Sequence, residues 1–263
     1  MDLKIILICI AVFAAGFIAG SFLNILIYKL PRKLKIFSPY PVCYYCSNKT
    51  HLLYTFPVLA YLSGKNTCGN CFRKLPVKSI APGLLNGILY AFVAYSFVSK
   101  PVSIENILEA ISAVIFISTL IVVSFIDWEF MIIPNIIVLP LTLVGLALSI
   151  AVILLTNPSK WWLAIVFCAG AFAFMLIVHL IYPRGMCMGD VKLALMMGAF
   201  LVKDVIAALF FGFLAGAIAG IIFMIFRKKT LKQFIPFGPF MSAGGLLALF
   251  FGNYISGWYT GFF

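Results

Sequence analysis

Seven nearly uncharged apolar runs of 19 to 24 residues divide this chain: Ile5 to Ile27, Ile80 to Val98, Ile107 to Ile126, Ile132 to Leu155, Trp161 to Tyr182, Val205 to Phe226 and Phe240 to Phe263. A helix of about 20 residues crosses the hydrocarbon core of a bilayer. Backbone polar groups in lipid must be satisfied within the chain, so runs of this length predict helices. Val191 to Val202 is apolar but only 12 residues long, and it predicts a tilted, broken or re-entrant segment. Charged residues make up 10% of the 263, against about a quarter in soluble domains. The expectation is an all-α polytopic membrane protein with about eight transmembrane helices, one of them short, and the lipid bilayer as its solvent. Lys4 ahead of the first run resembles the start of a secretory signal, but the run is too long and has no small-residue cleavage site before Pro31. It reads as a span.

The net charge of +12 does not point to nucleic acid, because the basic residues are sorted by loop. Nine lie between Lys29 and Lys78, Arg184 and Lys192 flank Asp190, and four more occupy Arg227 to Lys232. If the spans alternate, these fifteen share one side, and Lys4, Lys100, Lys160 and Lys203 share the other. The positive-inside rule assigns the rich side to the cytoplasm and leaves the N-terminus outside.

Three segments follow: a first transmembrane helix at 1–28, a cytoplasmic insert at 29–79 and a transmembrane core at 80–263. The insert contains Cys43-x-x-Cys46 and Cys68-x-x-Cys71, with 21 residues between the pairs. Two such knuckles suit a tetrahedral zinc site, each pair supplying two thiolates from a tight turn. Two disulfides are the competing reading, disfavoured in a reducing cytoplasm. Four thiolates leave no open coordination position, so the expected metal is structural. His51 is surplus to that set. Cys9 and Cys168 read as small buried hydrophobes, and His179 as a histidine that packs or hydrogen-bonds within its helix.

Glycines recur every four residues at Gly16 and Gly20, and again at Gly212, Gly216 and Gly220. In lipid, such small-residue faces let helix backbones approach closely.

Only seven residues are acidic, yet Asp127 and Asp190 stand at the ends of apolar runs, where an ionised carboxylate is costly. Read singly, Asp127 could be an interfacial helix terminus and Asp190 an ion-pair partner of Lys192. Read together, each beside a helix breaker or a small residue, Pro134 and Gly189, they suggest two carboxylates meeting in a wet notch at the membrane boundary. Glu129 reads as an interfacial charge.

These blocks, in order, resemble the type IV prepilin peptidases, membrane aspartyl proteases with a Gly-x-Gly-Asp motif. Gly16 to Asn24 through Leu30-Pro31 is similar to the family's opening helix, and the two cysteine pairs to its zinc insert. Asp127 with Ile133-Pro134 is similar to the first catalytic block, and Gly185-Met186-x-x-Gly189-Asp190-x-Lys192-Leu193 to the second. Pro236-Phe237-Gly238-Pro239-Phe240 with Gly244 is similar to the closing segment. The resemblance implies catalytic Asp127 and Asp190, motif support from Pro134, Gly189 and Lys192, and zinc on Cys43, Cys46, Cys68 and Cys71. It implies removal of the basic leader of prepilin or pseudopilin precursors on the cytoplasmic side of the inner membrane. In bifunctional members it also implies methylation of the new N-terminus from S-adenosylmethionine. Cys187 replaces a family glycine, and Tyr54, Thr55 and Leu85, with Asn86 beside it, replace polar residues in the region linked to methyl transfer. A non-catalytic assembly protein of a pilus or secretion machine and a proton-coupled transporter are the alternatives.

Overall fold

The computed structural model describes residues 3–34, 43–46, 48–51, 56–98, 100–183, 185–227 and 236–260. Arg184, the 228–235 part of the basic cluster, and Tyr54 and Thr55 lie outside them. The chain forms nine helices among the described residues: α1 (Leu3–Lys29), α2 (Pro57–Leu62), α3 (Ala81–Val98), α4 (Ile104–Phe130), α5 (Asn135–Thr156), α6 (Trp162–Ile181), α7 (Met188–Leu201), α8 (Val205–Arg227) and α9 (Gly238–Thr260). Among the described residues six helical segments are long and apolar enough to cross a membrane, the last of them running 38 residues from Met188 to Ile225 through α7 and α8. The chain is a multi-pass, all-α membrane protein. It folds as two compact units, Met1–Pro101 and Val102–Phe263.

In the first unit α1 packs along α3 through interlocking glycines. A Cβ on Gly16 would lie 2.8 Å from the Tyr90 ring, and one on Gly20 would lie 2.7 Å from Asn86 Cβ and 2.8 Å from the Pro82 carbonyl oxygen. The fit is reciprocal, since a Cβ on Gly87 would lie 3.0 Å from the Phe13 carbonyl oxygen. With no hydrophobic drive between helices in lipid, this close contact supplies the attraction. Amides reinforce it: Asn86 Nδ2 donates to the Gly16 carbonyl at 2.8 Å, and Asn24 Nδ2 donates to the Ser79 carbonyl at 2.7 Å.

In the second unit α7 is the central strut. Val191, Leu193, Ala194, Met196, Met197, Gly198 and Ala199 are all buried, and a helix buried around its whole girth needs no polar face. It packs on α5 and α6. Ser149 Oγ of α5 donates to the Ala199 carbonyl at 2.5 Å, and Cys168 Sγ of α6 donates to the Leu195 carbonyl at 3.4 Å. At 14 residues, α7 is about 21 Å long and too short to cross alone. Val202, at φ 50° and ψ −122°, breaks it before α8, so the short segment expected from the sequence is a broken helix. On α8, a Cβ at Gly212 would lie 3.1 Å from Met241 Cα of α9 and one at Gly216 would lie 2.8 Å from Phe237, whereas Gly220 meets nothing within 4 Å.

Candidate active site

Four local devices bring the two carboxylates into place. Ser103 starts α4, its side chain accepting from the Asn106 N–H at 3.3 Å, as an N-cap serine does. Twenty-four residues later Asp127 sits in the last turn of α4, which closes at Met131 in the left-handed conformation, φ 54° and ψ 40°, with the Met131 N–H bonded to the Asp127 carbonyl. Pro134 then begins α5 as its N-cap; its missing N–H and fixed φ are tolerated at a helix start. Asp190 lies in the first turn of α7. Gly189 lets that turn close on the α4–α5 connection, because a Cβ there would lie 3.0 Å from Ile133 Cβ.

Both carboxylates are withdrawn from solvent, with Asp127 5% and Asp190 4% exposed. Each rests on one backbone N–H. Gly238, the first residue of α9, donates to Asp127 Oδ2 at 2.8 Å, and Cys187 donates to Asp190 Oδ2 at 3.0 Å. A helix N-terminus favours negative charge, so α9 and α7 each present their favourable end to an acid. The exposed Cys187 thiol, at the start of α7, feels both acids. Partial burial pushes its thiol above the usual cysteine range, and the charges of Asp190 and then Asp127 push it further.

The supporting residues take distinct parts. Lys192 Nζ donates to Asn135 Oδ1 at 3.1 Å, tying α7 to the start of α5 instead of pairing with Asp190. His179 reaches beyond its own helix, its Nδ1 lying 2.8 Å from the Met186 carbonyl oxygen in the α6–α7 turn. That contact replaces the within-helix one expected for it. Glu129 is exposed at the end of α4. Gly238 carries no side chain, so the only sequence signal for its part was the Gly-Pro pair at the start of an apolar run.

In the first unit the sulfurs of Cys43, Cys46, Cys68 and Cys71 all lie within 4.8 Å of one another. Cys43 and Cys71 are 3.6 Å apart, and Cys46 and Cys68 3.7 Å. A disulfide needs about 2.05 Å, whereas four sulfurs at 2.3 Å from a shared zinc stand about 3.8 Å apart. The set therefore fits zinc. The knuckle turns add N–H donors to sulfur, Tyr45 to Cys43 at 3.4 Å and Asn70 to Cys68 at 3.5 Å. The backbone N–H groups of Cys71 and Asn70 lower the Cys68 thiol to about 6, toward the thiolate that a metal requires, whereas Cys71, although it accepts from the Arg73 N–H, is pushed up to about 11 by burial and its neighbouring thiols. His51 stands outside the cluster. Beneath it, Leu75 and Ala60 form a small core with Tyr44 and Tyr61, and the Tyr61 hydroxyl donates to the Leu75 carbonyl.

The bacterial peptidase A24 N-terminal domain matches residues 14–97, and the type IV leader peptidase family matches residues 114–225. The chain is 30% identical over 248 residues to the prepilin leader peptidase/N-methyltransferase of Bacillus subtilis (strain 168), covering 94% of this chain and 96% of the relative. It is 28% identical over 272 residues to the protein of that name from Legionella pneumophila, covering 92% and 91%. The Stutzerimonas stutzeri protein of that name is 24% identical over 276 residues, covering 94% and 92%. No solved structure matches the chain. With near full-length similarity to these relatives, and with both matched families falling in order along its sequence, the chain belongs to the type IV leader peptidase family.

Proposed function

We propose that this chain is a membrane aspartyl endopeptidase that removes the leader from type IV prepilin or pseudopilin precursors, with Asp127 and Asp190 as its catalytic pair. The observation that carries this reading is the burial of two carboxylates, one at the end of α4 and one at the start of α7, where Gly189 packs on Ile133, each acid held by a single N–H at a helix N-terminus. The pair shares one proton. The ionised member takes a proton from water as its oxygen attacks the scissile carbonyl carbon, and the other gives its proton to the carbonyl oxygen. Collapse of the tetrahedral diol breaks the C–N bond and returns a proton to the leaving amine. No acyl-enzyme forms, and the two acids titrate as a coupled pair.

In this reading the 29–79 insert carries structural zinc on four cysteines and the 80–263 core carries the cleavage. The distribution of Lys and Arg supports an N-terminus outside and an active site facing the cytoplasm of the inner membrane. Co-expression with a type IV prepilin tests the reaction: the pilin band should shorten by its leader, and a full-length pilin beside well-inserted enzyme would count against it.

Methyl transfer is a separate matter. The relatives' shared name includes N-methyltransferase, which requires a methyl donor such as S-adenosylmethionine. Segment 29–79 contains no Asp or Glu to accept ribose hydroxyls. Leu85 is a 44% exposed apolar residue, and the neighbouring Asn86 amide is engaged with the Gly16 carbonyl. We therefore propose cleavage with weak methylation or none. Mass spectrometry of the processed pilin decides, and a fully methylated N-terminus would refute this part.

A further inference from the structure

We infer that Gly238 is the positioning residue for Asp127, and that docking of the first turn of α9 completes the aspartate pair. This inference rests on the proposed cleavage reaction. Its geometry is independent of that reading, because two separate features of the same residue converge on one carboxylate.

The first is the hydrogen bond. The Gly238 N–H opens α9 and donates to Asp127 Oδ2 at 2.8 Å, across 111 positions of sequence. N–H groups in a helix's first turn have no partner within the helix, so this donor is directed and otherwise unsatisfied. The second is space. A Cβ on Gly238 would lie 2.7 Å from Asp127 Oδ2, 3.0 Å from Cγ and 3.1 Å from Cβ. The whole carboxylate fills the volume that any other side chain would claim. Glycine is required here for close approach and not for its backbone angles.

The two acids differ in how they are held. Asp190 takes its N–H from Cys187, three residues away in the same turn, so forming α7 is enough to orient it. Asp127 depends on a helix distant in sequence. The first turn of α9 is itself fixed by α8, where Phe237 sits against Gly216 and Phe213, ring centroids 5.3 Å apart. Asp127 therefore takes up its orientation only when α8 and α9 are assembled. A carboxylate turned from its water or carbonyl loses rate steeply, since a misplacement of about 1 Å can cost about 100-fold in such reactions.

Gly238→Ala should keep the N–H but displace the carboxylate. Gly245→Ala is the matched control, two turns along the same helix. Its Cβ would lie 3.0 Å from Met197 Cε and 3.1 Å from Leu120 Cδ1, milder crowding against flexible side-chain ends, on residues seven positions from Asp190 and from Asp127. Both purified variants would be assayed on a prepilin substrate, with thermal unfolding measured alongside. For Gly238→Ala the expected result is a fall in kcat of about 100-fold with KM within threefold, a loss well beyond what any drop in unfolding midpoint accounts for. For Gly245→Ala it is kcat within threefold and a lowered midpoint. Gly238→Ala cleaving within threefold of wild type would overturn the inference, as would the two variants losing activity in step with stability. A wild-type enzyme that fails to cleave prepilin would instead remove the proposed function on which the inference rests.

Discussion

The buried amides of the first unit and the buried acids of the second are held in opposite ways. In the first, Asn24 and Asn86 are 6% and 0% exposed, and each donates to a backbone carbonyl on another segment. Four thiols there converge to a single point. In the second, two carboxylates are as deeply buried, and among the described residues each is held by one N–H. Satisfied polar groups lock helices together, whereas an acid left with capacity to accept is costly to fold around. A protein keeps such acids where chemistry uses them. Changes in the first unit should therefore cost stability or metal, and changes to the acids of the second should cost reaction while leaving the fold intact.

The largest effect expected in the first unit is on metal. Replacing Cys43, Cys46, Cys68 or Cys71 by Ser removes one of four ligands and should drop bound zinc from about one per chain to near none, read by elemental analysis of purified protein. Metal-free wild type would break the comparison at this point. Gly20→Ala comes next. Its Cβ meets the Pro82 carbonyl and Gly83 Cα at 2.8 and 2.9 Å, backbone atoms that cannot swing aside, so overpacking should cost about 1–3 kcal/mol in unfolding free energy. Asn86→Ala should cost less, about 0.6 kcal/mol, the average for an interhelical side-chain hydrogen bond in a membrane protein. If it proved as damaging as Gly20→Ala, the amide and not the glycine contact would be what joins α1 to α3.

What the sequence revealed follows the same division. Spans were legible because lipid forces a length and an apolar composition on them, and the positions of α1, α3, α4, α5, α6, α8 and α9 follow the seven long runs closely. The cysteine set was legible because metal ligation fixes both residue type and spacing. The two acids stood out by their scarcity. Pairings carried by backbone atoms were not legible. Gly83 and Gly87 answer Gly16 and Gly20, but the spacing of glycines on α1 does not name α3 as the partner helix. Gly238 holds Asp127 through an N–H that every residue but proline possesses. Lys192 lies two residues from Asp190, which suggested an ion pair, yet its reach along the helix surface ends at Asn135. Sequence proximity misled there because neighbours two apart on a helix face different directions.

The contrast between a locked unit and a reactive one rests on the carboxylate pair. Its most direct test is prepilin cleavage by Asp127→Asn and Asp190→Asn, measured together with thermal unfolding of the purified enzymes. An amide retains an acceptor for the Gly238 or Cys187 N–H but can neither share nor exchange the proton. Both variants should lose all measurable processing, with unfolding midpoints equal to wild type or higher, because the amide fills the same space and relieves the repulsion between two buried acids. Substantial leader removal by either variant, or loss of activity only in proportion to unfolding, would contradict the account.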